Sequence, residues 1–311
     1  MPPAVAEAGL VGIEGLGVGS VRDWCALLKP RVVTLVVFTG AVGMLVAPGH
    51  LHPLLAAITV LCIAVGAGAA GAINMWYDRD IDAVMRRTAS RPIPAGRIAP
   101  QEALSFGVLL AGASVVVLAL ATNLAAAAML AVSILYYTIV YTAWLKRRTA
   151  QNIVIGGAAG AFPPLIGWLA VTGHLAPLPI LLCAIVFFWT PPHFWALSLF
   201  AHADYARAGV PMLPVTAGAR STRRHVFFYT VLLGLLSLAP WWLGYAGRLY
   251  GITAAALAAV FLYHAVRVLA DSQDAAGVSL TRDLPAKACF KYSISYLFIL
   301  FTALAVDRLI G

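Results

Sequence analysis

Long apolar stretches alternate with short polar breaks along almost the whole chain. Each stretch contains about 20 residues, which is the length that an α-helix needs to cross the hydrocarbon core of a bilayer. The pattern therefore predicts an all-α, polytopic membrane protein with about nine transmembrane helices. The expected spans cover residues 32–48, 53–73, 101–121, 124–144, 151–172, 178–200, 226–245, 249–270 and 290–309.

The composition supports this class. Hydrophobic residues make up 62% and charged residues 11% of the 311 positions, whereas a soluble globular chain has about 25% charged residues. No polar segment divides residues 25–311, so we expect one membrane domain there. Residues 1–24 precede it, and their Gly/Ala-rich start lacks the basic region of a secretory signal. We expect them to form a disordered cytoplasmic tail.

The basic residues are distributed unevenly between the two sets of loops. If the N-terminus is cytoplasmic, every Lys and Arg except Arg248 and Arg308 lies on the cytoplasmic side. Because short cytoplasmic loops carry an excess of Lys and Arg, this bias predicts a cytoplasmic N-terminus, an external C-terminus and an odd number of spans. Topology thus accounts for the net charge of +9 better than nucleic-acid binding does.

Acidic residues gather on the same side, which the positive-inside rule does not explain. Ionisable groups at membrane depth are costly and indicate function. After the second span, Asn74, Asp78 and Asp82 are spaced four residues apart. On a helix these three form one stripe, and Asp80 points to the opposite side. Their oxygens are suited to Mg²⁺ together with substrate phosphates, although this spacing is also found at solvated helix ends.

Basic side chains near these acids provide candidate partners for a diphosphate. Arg86 and Arg91 follow the acidic segment, and Lys146 and Arg147 lie in the next loop on the same side. Guanidinium and ammonium groups hydrogen bond to phosphate oxygens, and a metal ion neutralises a departing diphosphate. Setting the topology is the alternative role of these basic residues.

The spacing Asn74-x-x-x-Asp78-x-x-x-Asp82 resembles the first aspartate-rich motif of the UbiA superfamily of intramembrane prenyltransferases. Three longer stretches are similar to one branch of it, the protohaem IX farnesyltransferase (haem O synthase) family: residues 74–98, 141–168 and 189–218. The Pro-Pro-His-Phe-Trp sequence within the last stretch is the most specific part. The resemblance runs from about residue 25 to the C-terminus.

This resemblance implies nine transmembrane helices around a central cavity in the cell (inner) membrane. The implied reaction converts haem B, farnesyl diphosphate and water into haem O and diphosphate, with haem B as substrate rather than cofactor. It implies that Asn74, Asp78 and Asp82 bind Mg²⁺ and the diphosphate, with Asp204 as the acid of a second, sparser motif. A downstream haem A synthase is the implied partner.

Two residues of the sixth span are further candidates. His193 follows Pro191 and Pro192, which we expect to break the helical hydrogen bonds and open a cavity. It is suited to ligate haem iron, to act on the added water, or to hydrogen bond a freed carbonyl. Trp195 is expected to line an apolar cavity, with ordinary helix packing as the alternative.

Other functions stay open on the sequence alone. Another aromatic acceptor, such as 4-hydroxybenzoate, would suit the same superfamily. A transporter or a haem-handling membrane protein would also have many apolar spans. Transporters tend to place charges near the bilayer midplane and to contain internal repeats, whereas the acids here lie at one edge and no repeat is visible.

Overall fold

The computed structural model describes residues 19–274 and 277–310, which form helices joined by short loops. The helices are α1 (Val21–Leu27), α2 (Pro30–Leu45), α3 (Pro53–Tyr77), α4 (Arg79–Val84), α5 (Pro100–Ala121), α6 (Leu124–Leu135), α7 (Asn152–Gly156), α8 (Ala158–Ala161), α9 (Pro163–Thr172), α10 (Pro177–Phe200), α11 (His202–Arg207), α12 (Leu213–Thr216), α13 (Gly218–Trp242), α14 (Arg248–Leu269) and α15 (Leu284–Ile310). A π-helical segment, Tyr136–Leu145, continues α6.

Eight of these helical stretches are long and apolar enough to cross a membrane. The pair α1 and α2, bent by 52°, provides a ninth if it is counted as one span. The predicted all-α architecture with about nine spans is therefore confirmed.

The predicted N-terminal tail agrees only in part with the observed helices. Residues 1–18 of this tail lie outside the described residues, but residues 21–24 are helical and belong to α1. Ser20 caps this helix, because its hydroxyl accepts from the main-chain N–H of Asp23 while the Asp23 carboxylate accepts from Ser20. This reciprocal arrangement is a capping box, which stabilises a helix start.

The long helices pack side by side in sequence order and close into a ring. Helix α2 contacts α3, α3 contacts α5, α5 contacts α6, and α6 contacts α9. The order continues through α10, α13, α14 and α15 back to α2. Successive spans alternate in direction. The start of α2 therefore lies at the same end of the bundle as the ends of α3, the π-helical segment and α10. We call it the charged end, since it carries Lys29, Asp78 and Lys146.

Glycines allow α2 and α9 to approach backbone to backbone. A Cβ atom on Gly43 would lie 2.2 Å from the carbonyl oxygen of Pro164, and one on Gly167 would lie 2.0 Å from that of Gly40. Small residues permit such close packing in membranes, where van der Waals contact replaces much of the hydrophobic driving force. The fold therefore depends on these positions having no side chain.

Two expected features of the spans are wrong. The seventh span begins at Gly218 rather than at residue 226. The fifth span is confirmed as one stretch, Asn152–Thr172, although its helix is divided into α7, α8 and α9. The expected break in the sixth span is absent from the structure, since α10 continues through Pro191 and Pro192. Both prolines are buried among neighbouring helices, an environment in which membrane helices tolerate proline.

Candidate active site

The acidic motif lies where α3 ends and α4 begins. Asn74 occupies the last turn of α3, Asp78 stands at the junction, and Asp82 lies on α4. Main-chain hydrogen bonds from Asp78 to Asn74 (2.9 Å) and from Asp82 to Asp78 (2.8 Å) carry the four-residue spacing through the junction. All three side chains are buried, whereas 63% of the Asp80 side chain is exposed. The stripe therefore forms although the helix is not continuous.

Asn74 connects three helical segments through its amide. Its Nδ2 donates to Asp78 Oδ2 at 2.7 Å and to Thr142 Oγ1 at 3.0 Å. Its Oδ1 accepts from Lys29 Nζ at 2.6 Å. Thr142 belongs to the π-helical segment, and its hydroxyl donates to the Tyr137 carbonyl five residues earlier. These contacts fix the amide orientation, and π-helical turns are frequent at functional sites.

Each carboxylate of the stripe is paired with a cation. Lys146 Nζ is hydrogen bonded to Asp78 Oδ2, and Arg91 donates to Asp82 Oδ2 at 2.6 Å. The Lys29 ammonium lies within electrostatic reach of both acids and of both of these cations. The structure thus brings together the predicted residues Asn74, Asp78, Asp82, Arg91 and Lys146 at the charged end.

Arg147 is mainly engaged beside the stripe. It donates two hydrogen bonds to Asp80, at 2.7 and 2.8 Å, and a third to the Tyr77 carbonyl at 3.0 Å. The hydrogen bonds from Arg147 lower the pKa of Asp80 to about 2. Arg147 also lies 3.8 Å from Asp78 Oδ1, so it adds positive charge to the edge of the cluster.

Lys29 is a site residue that the sequence analysis missed, because it counted this lysine only as a topology signal. Lys29 caps α2 in a left-handed conformation with φ of 51°, so its side chain turns back toward α3. Gly71 provides the room, since a Cβ atom there would lie 3.3 Å from Lys29 Cδ. A Lys-Pro pair at the start of a span, together with a glycine-rich neighbouring span, is the signal that could have indicated this contact.

The oxygens of the stripe are suited to Mg²⁺. Asp78 Oδ1 is buried and, within the described chain, accepts no hydrogen bond. No group of three or more His, Cys, Asp or Glu side chains with metal-binding geometry occurs in the residues that the structure describes. The available donors are therefore two carboxylates and the Asn74 amide oxygen. This set fits a cation that takes one or two carboxylates and completes its coordination with water and substrate phosphate.

The predicted fourth metal ligand, Asp204, is placed separately. Its carboxylate on α11 pairs with Arg207, and among the described residues it joins no three-carboxylate group with Asp78 and Asp82. Tyr205 on α11 and Ile81 on α4 are both buried in the same extended apolar core. In this structure the Asp204 carboxylate is therefore paired within its own helix.

Three other predicted site residues lie outside the charged cluster. Arg86 is exposed on the loop after α4. Trp195 is 1% exposed and packs edge-on against His225 and Tyr229 of α13, with ring centroids 5.5 and 5.2 Å away. The Trp195 ring thus fills the space between α10 and α13, as expected for helix packing. His193 is buried on another face of α10, next to α15.

A sequence model of the UbiA prenyltransferase family matches residues 36–289, which include the whole acidic motif and most of the ring of helices. The chain belongs to the UbiA prenyltransferase family. The resemblance inferred from the motifs is therefore confirmed. As a UbiA prenyltransferase, the chain carries its buried acids where α3 meets α4, at the charged end of the bundle.

Near relatives within the UbiA family share almost the full length of the chain. The protoheme IX farnesyltransferase of Granulibacter bethesdensis is 65% identical over 94% of this chain and 93% of its own length. That of Acidiphilium cryptum is 62% identical over 99% of this chain and 96% of its own. The similarity thus extends well beyond the acidic motif.

Solved UbiA structures have the same fold. A digeranylgeranylglyceryl phosphate synthase aligns with a TM-score of 0.75 at 20% identity, covering 94% of this chain and 99% of that one. A UbiA homologue from Archaeoglobus fulgidus, bound to GPP and Mg²⁺, aligns with a TM-score of 0.65 at 17% identity, covering 91% and 99%. At these identities the likeness establishes the polytopic helical fold of the family.

Proposed function

We propose that this chain transfers the farnesyl group of farnesyl diphosphate to a vinyl group of haem B with addition of water, giving haem O and diphosphate. The observation that carries the proposal is the buried cluster at the charged end, where Asp78 and Asp82 face Lys29, Arg91 and Lys146. The identity of the acceptor is supported by the 65% identity to a protoheme IX farnesyltransferase.

The charges of this cluster favour a diphosphate donor. Three basic side chains, Lys29, Arg91 and Lys146, accompany two carboxylates, so basic groups outnumber acidic ones in the cluster. Charge-assisted hydrogen bonds to phosphate oxygens are stronger than neutral ones. When substrate binds, the three cations are free to contact phosphate oxygens once the carboxylates have another partner.

Asn74, Asp78 and Asp82 would hold Mg²⁺, with Oδ1 of Asp78, which accepts no hydrogen bond from the described residues, as the first available ligand. Bound there, the ion would neutralise negative charge that develops on the departing diphosphate. Lys29 and Lys146 add positive charge beside the stripe. Asp204, on α11, would be the acid of the second, sparser motif.

The reaction proceeds in three steps. The allylic C–O bond of farnesyl diphosphate breaks, and the electron pair leaves with the diphosphate, which Lys29, Arg91 and Lys146 stabilise. The terminal carbon of the vinyl group then bonds to the allylic cation. Water adds to the resulting cation beside the porphyrin ring and loses one proton, which the released diphosphate takes up. The apolar bundle protects the first cation from water, and the acceptor must reach it before solvent does.

The orientation follows from the distribution of charge. The charged end carries nearly all basic residues of the loops, so we place it on the cytoplasmic side of the inner membrane. Farnesyl diphosphate, a water-soluble anion, would then enter from the cytoplasm, and haem B from the bilayer or a carrier. A haem A synthase is the proposed recipient of the product.

Product analysis with two competing acceptors tests this function. Purified protein receives farnesyl diphosphate, haem B and 4-hydroxybenzoate, with and without Mg²⁺, and mass spectrometry identifies each farnesylated species. We expect only haem to gain farnesyl and a hydroxyl group, and only with Mg²⁺. Farnesylation of 4-hydroxybenzoate alone would refute haem as the acceptor. Transfer to neither acceptor, in protein that still binds farnesyl diphosphate, would refute the transferase function.

A further inference from the structure

Polar contacts around His193 connect α10 to α15. His193 Nδ1 lies 2.7 Å from the hydroxyl oxygen of Ser293. One turn earlier on α10, Trp189 Nε1 donates to the main-chain carbonyl of Ser293 at 2.7 Å. All three residues are buried. The metal and diphosphate chemistry at the charged end makes no use of this arrangement.

The direction of these hydrogen bonds determines the tautomer of the ring. The Ser293 hydroxyl donates to the Phe290 carbonyl at 2.6 Å, and a carbonyl only accepts. The single hydroxyl proton is therefore committed, so the Ser293 oxygen must accept from His193 Nδ1–H. A neutral imidazole has one N–H, which leaves the lone pair of His193 on Nε2.

Aromatic rings hold the imidazole in place while leaving this nitrogen accessible. Trp189 and Phe290 stack on the two faces of the ring, with centroids 4.3 and 4.6 Å away and interplanar angles of 20° and 29°. Nε2 makes no hydrogen bond with the described residues, yet it is not among their fully enclosed, unpaired polar atoms. It therefore keeps contact with accessible space, consistent with the 9% exposure of His193.

We propose that Ser293 is a positioning residue that holds His193 as the Nδ1-protonated tautomer, so that Nε2 ligates the iron of the haem substrate. The proposal rests on the function proposed above. Histidines that bind metals almost always donate their other ring N–H to a second group, which fixes the tautomer and makes the ligating nitrogen more basic. Ser293 supplies that second group here, and Trp189 and Phe290 keep the ring from rotating.

The depth of His193 agrees with this role. It lies seven residues before Phe200, the last residue of α10, which corresponds to roughly 10 Å along a helix axis. An iron atom bound to His193 would thus lie below the charged end, among apolar helices, while the diphosphate stays at the acids. The flat, apolar macrocycle and the anionic leaving group would each occupy a suitable environment.

Absorption spectroscopy of haem binding tests the proposal without turnover. Ferric haem B is titrated into the full chain in detergent, and the affinity and the Soret band are recorded. We expect His193→Ala to lose the spectrum of a histidine-ligated haem. Ser293→Ala, which keeps the carbonyl that binds Trp189, should weaken haem binding by about 10- to 100-fold. Ser293→Thr, which keeps the hydroxyl, should bind within a few-fold of the wild type.

Ser237→Ala is the matched control for loss of a buried serine. Ser237 on α13 accepts a hydrogen bond from Tyr296 of α15 at 2.7 Å, so the variant loses a comparable contact between helices that does not involve His193. It should bind haem like the wild type. Unchanged affinity and spectrum in Ser293→Ala, or equal weakening in Ser237→Ala, would overturn the proposal.

Farnesyl diphosphate binding, measured on every variant, separates a local effect from misfolding. A Ser293→Ala protein that also fails to bind farnesyl diphosphate has lost its fold, and Ser293→Thr then decides the question. If the wild type forms haem product but Ser293→Ala and Ser293→Thr behave like it, only this inference fails. If the wild type binds no haem, the proposed function fails with it.

Discussion

The ammonium group of Lys146 is hydrogen bonded to Asp78 Oδ2, which joins the end of the π-helical segment to the junction of α3 and α4. Asp78 is fully buried, and among the described residues its Oδ1 has no hydrogen-bond partner. The pair thus neutralises the carboxylate while leaving one oxygen available to a metal ion. Stability and function are connected at this contact.

Removing the cation of this pair should destabilise the fold. In Lys146→Met the Asp78 carboxylate stays buried without its closest cation, which we expect to lower the free energy of unfolding by about 3–5 kcal/mol. Adding Asp78→Asn removes the uncompensated charge and should restore part of this loss. Unfolding in detergent measures both variants, and a double variant less stable than the single one would contradict the account.

Two aspartates of the same segment should respond differently to the same substitution. Asp78→Asn removes a buried ligand of the proposed metal site, and we expect the transfer rate to fall by roughly 100- to 1,000-fold, since metal stabilisation of the leaving group is worth several kcal/mol. Asp80→Asn changes an exposed side chain that pairs with Arg147. It should retain activity within a few-fold, and initial rates at saturating substrate compare the two.

Lys29 should contribute to binding of the diphosphate. Lys29→Met removes a partly buried amino group that donates to Asn74, and we expect the KM for farnesyl diphosphate to rise by about 10- to 100-fold, as for loss of a hydrogen bond to a charged group. Arg31→Met is the control, because Arg31 is two residues away, exposed, and carries the same charge. Equal effects of the two substitutions would show that Lys29 acts only through its charge and not through a contact with the diphosphate.

The close approach of α2 and α9 should tolerate no added methyl group. Gly43→Ala places a Cβ atom against the Pro164 carbonyl, at 2.2 Å without relaxation, and should destabilise the protein by at least about 1–3 kcal/mol. Gly112→Ala in α5 meets no atom within 4 Å and should be neutral or slightly stabilising. Thermal unfolding measures both variants. A loss of stability in Gly43→Ala but not in Gly112→Ala would show that the backbone contact at Gly43, and not the loss of a glycine as such, is responsible.

The bundle and the acidic stripe could be predicted from the sequence, because both depend on local pattern. Apolar runs of sufficient length form helices in a membrane wherever they occur. The spacing of Asn74, Asp78 and Asp82 places them together through main-chain hydrogen bonds alone. Even the junction at Asp78, which the sequence did not predict, leaves that spacing intact.

The partners of the stripe could not be predicted in the same way. Lys29 reaches Asn74 because α2 packs on the glycines of α3, and Thr142 reaches it because a π-helical turn shifts the register of the preceding helix. Neither contact has a signature at fixed spacing. The sequence also did not predict which face of α10 packs against α13. In the structure that face carries Trp195, which packs against Tyr229.

Turnover in ¹⁸O-labelled water tests the central claim most directly. The protein is incubated with haem B, farnesyl diphosphate and Mg²⁺, and the products are analysed by mass spectrometry. We predict a haem that has gained one farnesyl group and one ¹⁸O hydroxyl group, formed by the wild type and Asp80→Asn but not by Asp78→Asn. Unmodified haem together with ¹⁸O-labelled farnesol would show that the site only hydrolyses the diphosphate, which would contradict the account.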